Sequence, residues 1–240
     1  MIDAMSMKQM ITYDQRSQSL TGYVDIGIGP EEDAEAKEVL VFMLVGLRAR
    51  WKAPVAFFFT RGLQAEVQTQ LVKNCLEKLH DLGFSIDAIT MDGHATNIAM
   101  TKMLGSNLDI DSEQFQPYFV FPDGHKTFVI LDACHMVKLV RNMLEALNII
   151  HSPAGPIAWQ LIKDLNKLQE EAGVRLGNKI SANHVFFKNQ KMKVSLAVQV
   201  LSASVACALE TLQGMNVPQF SYAGPTVEFI KAICHNYTKL

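Results

Sequence analysis

The chain has 240 residues, of which 49% are hydrophobic and 19% are charged, and its formal net charge is −2 at pH 7. This length and composition allow a sizeable core in one or two domains. They exclude a protein that binds nucleic acid through bulk positive charge, so any contact with DNA has to come from local basic patches. No stretch of about 18 or more uncharged apolar residues is present, so the sequence indicates no membrane span and no membrane partner.

The first part of the chain predicts extended segments separated by turns. Residues 2–8 and 10–13 predict a hairpin, and residues 29–37 predict an acidic loop. Residues 39–47 form a strong apolar run that predicts a central strand. A short charged turn joins this run to residues 55–60, which predicts that the two strands pair antiparallel.

Helices and strands alternate from residue 64 onward. The spacing of apolar residues predicts helices at residues 64–82, 95–104 and 136–147, and buried strands at residues 86–91 and 127–131. An antiparallel start followed by alternating units predicts an α/β fold with a mixed sheet flanked by helices.

After residue 148 the pattern predicts helices alone, at residues 157–171, 193–212 and 226–237. We therefore place a domain boundary near residue 150. It separates an α/β domain of residues 1–150 from a helical segment of residues 151–240.

Residues 85–97 read Ser-Ile-Asp-Ala-Ile-Thr-Met-Asp-Gly-His-Ala-Thr-Asn and contain the most informative carboxylate. Asp92 directly follows a buried strand, and ligands bind at the carboxyl ends of strands in open α/β sheets. Gly93 lets the backbone turn sharply after it. The alternative is that Asp92 is a turn or N-cap residue, which is the commoner role of aspartate in such a position.

A second carboxylate could face Asp92 across the sheet. In one winding that right-handed crossovers permit, the strand at residues 2–8 lies beside the strand that ends at Asp92, and Asp3 then faces Asp92. Two such carboxylates can hold Mg²⁺, and a two-ion site catalyses in-line phosphoryl displacement. Asp25 and Asp132 are weaker candidates for a further ligand, with a turn role for Asp25 and an N-cap role for Asp132 as the alternatives.

Basic residues of the later helices are candidates for contacts with DNA phosphate. Lys138 and Arg141 lie one helical turn apart, and Lys188, Lys191 and Lys193 follow in the helical segment. Phosphate contacts position a duplex without specifying its sequence. The alternative for each residue is an ordinary solvated helix face.

Four motifs follow one another along the chain: Asp3-Ala-Met-Ser-Met, Trp51-Lys-Ala-Pro-Val, Met91-Asp-Gly with Asn97, and Leu131-Asp-Ala-Cys-His-Met-Val-Lys-Leu-Val-Arg-Asn142. Their order resembles that of P-element-type DNA transposases, which include the THAP-domain transposases of animals. Residues 190–199 and 201–206 resemble the insertion domain of the same family. The resemblance runs nearly end to end, and the His-Met-Val-Lys-Leu-Val-Arg-Asn run is its specific part.

The resemblance implies an RNase H-like catalytic domain interrupted by a helical insertion that binds GTP in the family. It places the first catalytic, metal-binding acid at Asp3, with Asp25 as the fallback, and the second at Asp92. The third acid, a glutamate, follows the insertion in the family, and we expect it to lie outside these 240 residues. The implied cofactor is Mg²⁺ or Mn²⁺, and the implied reaction is metal-dependent cleavage and transfer of DNA strands.

The resemblance also implies transposon ends as the DNA partner and the nucleus as the location, and it leaves a homo-oligomer open. We expect a fragment, without the family's THAP zinc finger and coiled coil, that does not cut DNA by itself. The sequence has no GxxxxGKS phosphate loop, so it assigns no residue to GTP.

There are two alternatives to the interpretation as part of a DNA-cutting transposase. One is a domesticated, catalytically dead relative that binds DNA or a partner, and the other is a non-nuclease α/β domain in which Asp92 is structural.

Overall fold

The computed structural model describes residues 1–16, 18–29, 31–121 and 123–238. The chain divides into two compact units, Met1–Asp132 and Ala133–Leu240. The predicted domain boundary near residue 150 falls within the second of these units.

The first unit contains a run of strands followed by alternating helices and strands. In chain order its elements are β1 (Ile2–Ser6), β2 (Thr12–Asp14), β3 (Ser19–Thr21), β4 (Tyr23–Val24), β5 (Glu31–Glu35), β6 (Glu38–Val45), β7 (Lys52–Thr60), α1 (Ala65–Asp81), β8 (Ala88–Met91), α2 (Ala95–Leu104), β9 (Tyr118–Val120) and β10 (Lys126–Leu131). The predicted helices at 64–82 and 95–104 and the predicted strands at 39–47, 55–60, 86–91 and 127–131 are confirmed.

The main strands form two three-stranded sheets, with the orders β1-β6-β7 and β8-β10-β9. The first sheet is antiparallel, and β6 is its central strand, as predicted. In the second sheet β10 pairs parallel with β8 and antiparallel with β9. The edge strands β1 and β8 lie in contact with each other, so the predicted neighbourhood of the first strand and the strand before Asp92 is confirmed.

Two local predictions for this unit are wrong. Residues 10–13 do not form a hairpin with residues 2–8, because β1 pairs with β6 and β2 pairs with β3. Pairing with β6 places Ile2 opposite Phe42, where both side chains are buried. The segment 29–37 is not simply an acidic loop, because it contains the strand β5.

One face of the strands forms the core of the first unit against α1 and α2. Phe42, Ile89 and Val129 from the strands are buried together with Val72 of α1 and Met100 of α2. Alternate residues on the strands point away from this core, as the two-residue period of a strand requires. That second face is apolar yet open, and it exposes Val55, Phe57, Phe128 and Ile130.

The second unit is mainly helical. Its elements are α3 (Ala133–Leu147), β11 (Ile149–Ser152), β12 (Gly155–Ala158), α4 (Gln160–Ala172), α5 (Ala182–Val185), α6 (Val194–Val200), α7 (Ala203–Gly214) and α8 (Gly224–Thr238). The prediction that no strand follows residue 148 is wrong, because β11 and β12 pair as a hairpin. Gly155 enters this hairpin at a φ of +125°, a conformation that side chains disfavour.

The predicted helix at residues 193–212 is two helices, since the chain leaves helical geometry between α6 and α7 at Leu201 and Ser202. The stretch Val194–Gly214 is long and apolar enough to cross a membrane by length and composition alone. Its apolar side chains form part of the core of the second unit, with Val200, Val205 and Leu209 fully buried. Such burial is ordinary for the core helices of a globular domain.

Phe42 and Phe57 lie on adjacent strands and provide a matched pair for testing this arrangement. Phe42 is 4% exposed and Phe57 is 63% exposed. We expect Phe42→Ala to lower the free energy of unfolding by about 3–5 kcal/mol, because it leaves a cavity in the core. We expect Phe57→Ala to change it by less than about 1 kcal/mol. Urea denaturation followed by circular dichroism measures both values, and equal losses would contradict the assignment of the two faces.

Candidate metal and DNA site

Asp3 and Asp92 line the same cavity in the first unit, which has a volume of about 310 Å³. Asp3 comes from β1, where it lies opposite Val41 of β6, and its side chain is exposed. Asp92 directly follows β8 and is half-buried. The fold therefore places both residues that the sequence pattern selected in the lining of one cavity, although they lie far apart in the chain.

The Asp92 carboxylate is held through one of its two oxygens. Oδ1 accepts hydrogen bonds from the backbone N–H of His94 at 3.0 Å and from Nδ2 of Asn97 at 2.6 Å. The bond from His94 is the side-chain turn that favours aspartate after a strand. The turn role and the ligand role of Asp92 are therefore compatible, since the described hydrogen bonds engage Oδ1 alone.

Asp25 lies on the far side of the first sheet. It forms an isolated bridge with Phe59 of β7, and β6 separates β7 from β1. Three strand spacings of about 4.8 Å place its backbone about 14 Å from β1, too far to share an ion with Asp3. Its Oδ1 accepts a hydrogen bond from the N–H of Gly27 at 2.8 Å, which is the predicted turn role.

Asp132 lies beside Asp92 at the edge of the second sheet. Leu131 is paired with Met91 in the parallel ladder, and each aspartate is the next residue along its strand. The N–H of Asp132 donates to the carbonyl oxygen of Met91 at 2.7 Å. Asp132 also immediately precedes α3, the position in which aspartate commonly caps a helix.

Two polar residues that the sequence analysis missed, Glu38 and Gln68, also line the cavity with Asp3 and Asp92. Glu38 opens β6, and a strand pattern alone gives no reason to select it. Gln68 is 4% exposed and lies on α1 among the buried positions of that helix. A buried glutamine on an otherwise apolar stripe is a signal that the sequence did contain.

The residues present fit a hard divalent cation in part. Carboxylate oxygens are the ligands that Mg²⁺ prefers, and it usually takes one or two of them together with water and phosphate oxygens. Asp3 and Asp92 are two carboxylate residues in the lining of one cavity. Within the described ranges, no group of three or more His, Cys, Asp or Glu side chains converges on a point where it could hold a metal ion. Among the described residues, the lining thus carries Asp3, Asp92 and Glu38, without the convergence of three ligand side chains that a complete metal site shows.

Arg141 does not provide a surface contact for DNA, so that prediction is wrong. Its side chain is fully buried in the second unit and stacks on the ring of Phe187, with Cζ 3.8 Å from the ring centroid. Nη2 donates to the carbonyl oxygen of Lys191 at 2.7 Å, and Nε donates to Oδ1 of Asn142 at 2.9 Å. Burial lowers the pKa of the Arg141 guanidinium, and nearby Glu145 opposes this by raising it.

The lysines remain accessible for contacts with phosphate. Lys138 on α3 is half-buried, whereas Lys188, Lys191 and Lys193 are exposed. The last three lie in one short segment between α5 and α6. The carbonyl of Lys191 is anchored by Arg141, so the buried arginine holds the backbone of this basic segment in place.

Two family profiles match successive parts of the chain. The profile described as the TNP-like RNase H N-terminal domain matches residues 1–105. The profile described as the TNP-like GTP-binding insertion domain matches residues 134–237. The human protein DNA transposase THAP9 is 32% identical over 240 residues, an alignment that covers 97% of this chain. The chain belongs to the P-element-type transposase family.

A second member of this transposase family is similar over a shorter range. The Transposable element P transposase of Drosophila melanogaster is 28% identical over 189 residues, which covers 78% of this chain. The chain spans 26% of the length of the human relative and 24% of that of the fly relative. It therefore corresponds to about a quarter of either transposase.

The fold is shared with a solved transposase structure, that of the Drosophila P element transposase strand transfer complex. The TM-score is 0.78 at 23% sequence identity, and the match covers 97% of this chain and 48% of the other. This confirms the predicted RNase H-like mixed sheet followed by a helical insertion. The hairpin of β11 and β12 is one part of this fold that the sequence pattern did not predict.

Arg141→Ala and Lys138→Ala should separate a core role from a surface role on α3 of this chain. We expect Arg141→Ala to lower the free energy of unfolding by about 2–4 kcal/mol, because it removes the stacking on Phe187 and two charge-assisted hydrogen bonds. We expect Lys138→Ala to lower it by less than about 0.5 kcal/mol.

Trp159 packs edge-on against Phe187 with ring centroids 5.8 Å apart, so its fluorescence reports on this region. Urea denaturation followed by that fluorescence, in a Trp51→Phe background, measures the two losses. An Arg141→Ala variant as stable as its parent would contradict the buried role.

Proposed function

We propose that this chain is part of a P-element-like DNA transposase and that Asp3 and Asp92 belong to the metal site that cleaves and transfers DNA strands. The observation that carries the proposal is the single cavity whose lining includes both Asp3 and Asp92. Membership of the family supports the reaction class, and the shared cavity supports the position of the metal site. Because the chain spans about a quarter of its curated relatives, the activity of the whole protein is part of the proposal.

The residues of this chain would do two things in such a site. Asp3 and Asp92 would hold the cation, and the hydrogen bonds from His94 and Asn97 would keep the Asp92 carboxylate oriented. When bound, Mg²⁺ or Mn²⁺ would stabilise the charge that develops on the attacking and leaving oxygens of a phosphoryl displacement.

We place the DNA-phosphate contacts of this chain on its exposed lysines. The segment that carries Lys188, Lys191 and Lys193 has a backbone held by Arg141 and three side chains in solvent. Lysines presented together attract the phosphate backbone and release its counterions. Transposon ends are the DNA that the family implies, and the nucleus is the compartment in which the protein would meet them.

A second candidate function is that of a relative that binds DNA without cutting it. The absence of a converging group of three metal-ligand side chains among the residues that the structure describes favours this candidate for the chain alone. We propose that the chain does not cut DNA by itself. GTP binding by the intact protein is proposed from the match to the insertion-domain profile, with no residue assigned to it.

Mn²⁺ binding tests the metal site directly. We expect isothermal titration calorimetry to show weak Mn²⁺ binding by the chain, because no three metal-ligand side chains converge among the residues that the structure describes. Asp92→Asn and Asp3→Asn should each abolish it, since each removes one of the two charged ligands while keeping the side-chain size.

Asp87→Asn is the matched control for this experiment. Asp87 is an exposed carboxylate that pairs with His125 at 3.3 Å and does not line the cavity. We expect its substitution to leave Mn²⁺ binding unchanged. Equal Mn²⁺ affinity in the parent and the Asp92→Asn variant would refute the proposed site.

The salt dependence of DNA binding tests the basic segment. We expect the variant Lys188→Gln/Lys191→Gln/Lys193→Gln to bind duplex DNA more weakly than its parent. The slope of log K against log salt concentration should become shallower by roughly 2–3, because each lost phosphate contact contributes about 0.9 to it. Fluorescence anisotropy with a labelled duplex at several salt concentrations measures the slope.

A variant with the same net charge controls for the loss of bulk charge. Lys73→Gln/Lys78→Gln/Lys167→Gln removes three exposed lysines from α1 and α4. We expect its slope to remain close to that of the parent. Identical slopes for the two triple variants would show that the 188–193 segment has no special role.

A further inference from the structure

A short chain of side-chain hydrogen bonds runs from the interior of the first unit to the Asp92 carboxylate. Gln68 of α1 donates from Nε2 to Oδ1 of Asn97 at 2.6 Å. Asn97 of α2 donates from Nδ2 to Oδ1 of Asp92 at 2.6 Å, and a longer contact of 3.4 Å joins the same Nδ2 to the Asp92 carbonyl oxygen. One residue of α1, one of α2 and the residue that follows β8 are thus linked by consecutive hydrogen bonds.

The charge of Asp92 sets the direction of every bond in this line. An ionised carboxylate can only accept hydrogen bonds, so Asn97 has to present its NH₂ group to Asp92. The amide oxygen of Asn97 then points the other way and has to be met by a donor. Gln68 meets it with its own NH₂ group, and the reverse orientation of either amide would place two acceptors or two donors face to face.

Burial restricts the side-chain conformation of Gln68, the innermost of the three hydrogen-bonded residues. Gln68 is 4% exposed and lies on the first turns of α1, among the residues that pack on the sheet. A buried amide costs free energy unless it is hydrogen-bonded, which disfavours rotamers of Gln68 that leave Asn97. Since the described bonds to Asp92 engage Oδ1, the line also settles which carboxylate oxygen, Oδ2, is left for a ligand.

We propose that Gln68 is a positioning residue for the metal site, acting through Asn97 to orient the Asp92 carboxylate toward a divalent cation. The inference rests on the proposed function, because it assigns the orientation of Asp92 to metal binding. Residues that orient a metal ligand typically contribute about 10–100-fold to metal affinity. No comparable line of bonds to Asp3 is present among the described residues.

Mn²⁺ titration of Gln68→Met tests the inference. Methionine keeps the length and volume of the side chain but removes the NH₂ donor. We expect the dissociation constant for Mn²⁺ to rise about tenfold, in line with other residues that orient metal ligands.

Gln70→Met is the matched control, because Gln70 lies on the same helix and donates to Oδ1 of Asn74 at 2.7 Å on the exposed face. We expect its Mn²⁺ affinity to equal that of the parent. Asp92→Asn, measured alongside, reports whether the site exists.

The outcomes separate the two claims. If Asp92→Asn loses Mn²⁺ binding but Gln68→Met retains the affinity of the parent, the positioning role is overturned and the proposed metal site stands. If the parent chain binds no Mn²⁺ at all, the proposed site is overturned and the positioning role falls with it. A tenfold loss in Gln68→Met, with Gln70→Met unchanged, supports both.

A measurement on the parent chain covers the case in which Gln68→Met does not fold. The side-chain NH₂ groups of Asn97, Gln68 and Gln70 can be followed in nitrogen-15 NMR spectra during titration with Mg²⁺. We expect the signals of Asn97 and Gln68 to shift together, because the bonds couple them to Asp92, and the signal of Gln70 to stay in place. A shift at Asn97 without one at Gln68 would overturn the inference.

Discussion

Burial of one face of the strands against α1 and α2 is the constraint on which the first unit depends. Phe42 and Ile89 belong to the buried face. A shift of one residue in the pairing register of a strand would move such side chains from the buried face to the opposite face. The same alternation decides where the carboxylate of β1 goes. Asp3 is opposite Val41, which is opposite Phe57, so its side chain emerges on the open face. The hydrophobic register therefore positions a polar residue that contributes nothing to the core.

Asp92, the residue after β8, has a structural role in the turn that follows the strand and a proposed role as a metal ligand. The chain has to turn sharply after Met91, and Asp92 satisfies the N–H of His94 in that turn. The proposed site needs a carboxylate oxygen that points into the cavity. The described hydrogen bonds engage Oδ1 alone, so the turn leaves Oδ2 for the proposed site and the structural and functional interpretations of Asp92 do not compete.

Arg141 shows how the same residue type changes role with its surroundings. It follows Val137 by four positions and precedes Leu144 by three, so it lies on the buried stripe of α3. That spacing was visible in the sequence and favours the interior, whereas the positive charge favours a surface contact. Phe187 and the carbonyl of Lys191 resolve the conflict, because they offer a charged guanidinium an aromatic face and an acceptor inside the core.

The sequence by itself determined the features that depend on neighbouring residues. Apolar periodicity and turn residues placed α1, α2, β6, β7, β8 and β10, and Gly105 ends α2 in the left-handed conformation that glycine adopts readily. The order of motifs also identified the family. The tertiary structure alone decided that β1 pairs with β6 and that Asp25 lies far from β1. It also decided that Gln68 is linked to Asp92 through Asn97, and that Asp3 and Asp92 line one cavity. Those results depend on contacts between segments distant in the chain, and such contacts are set by how apolar faces pack together rather than by any local pattern.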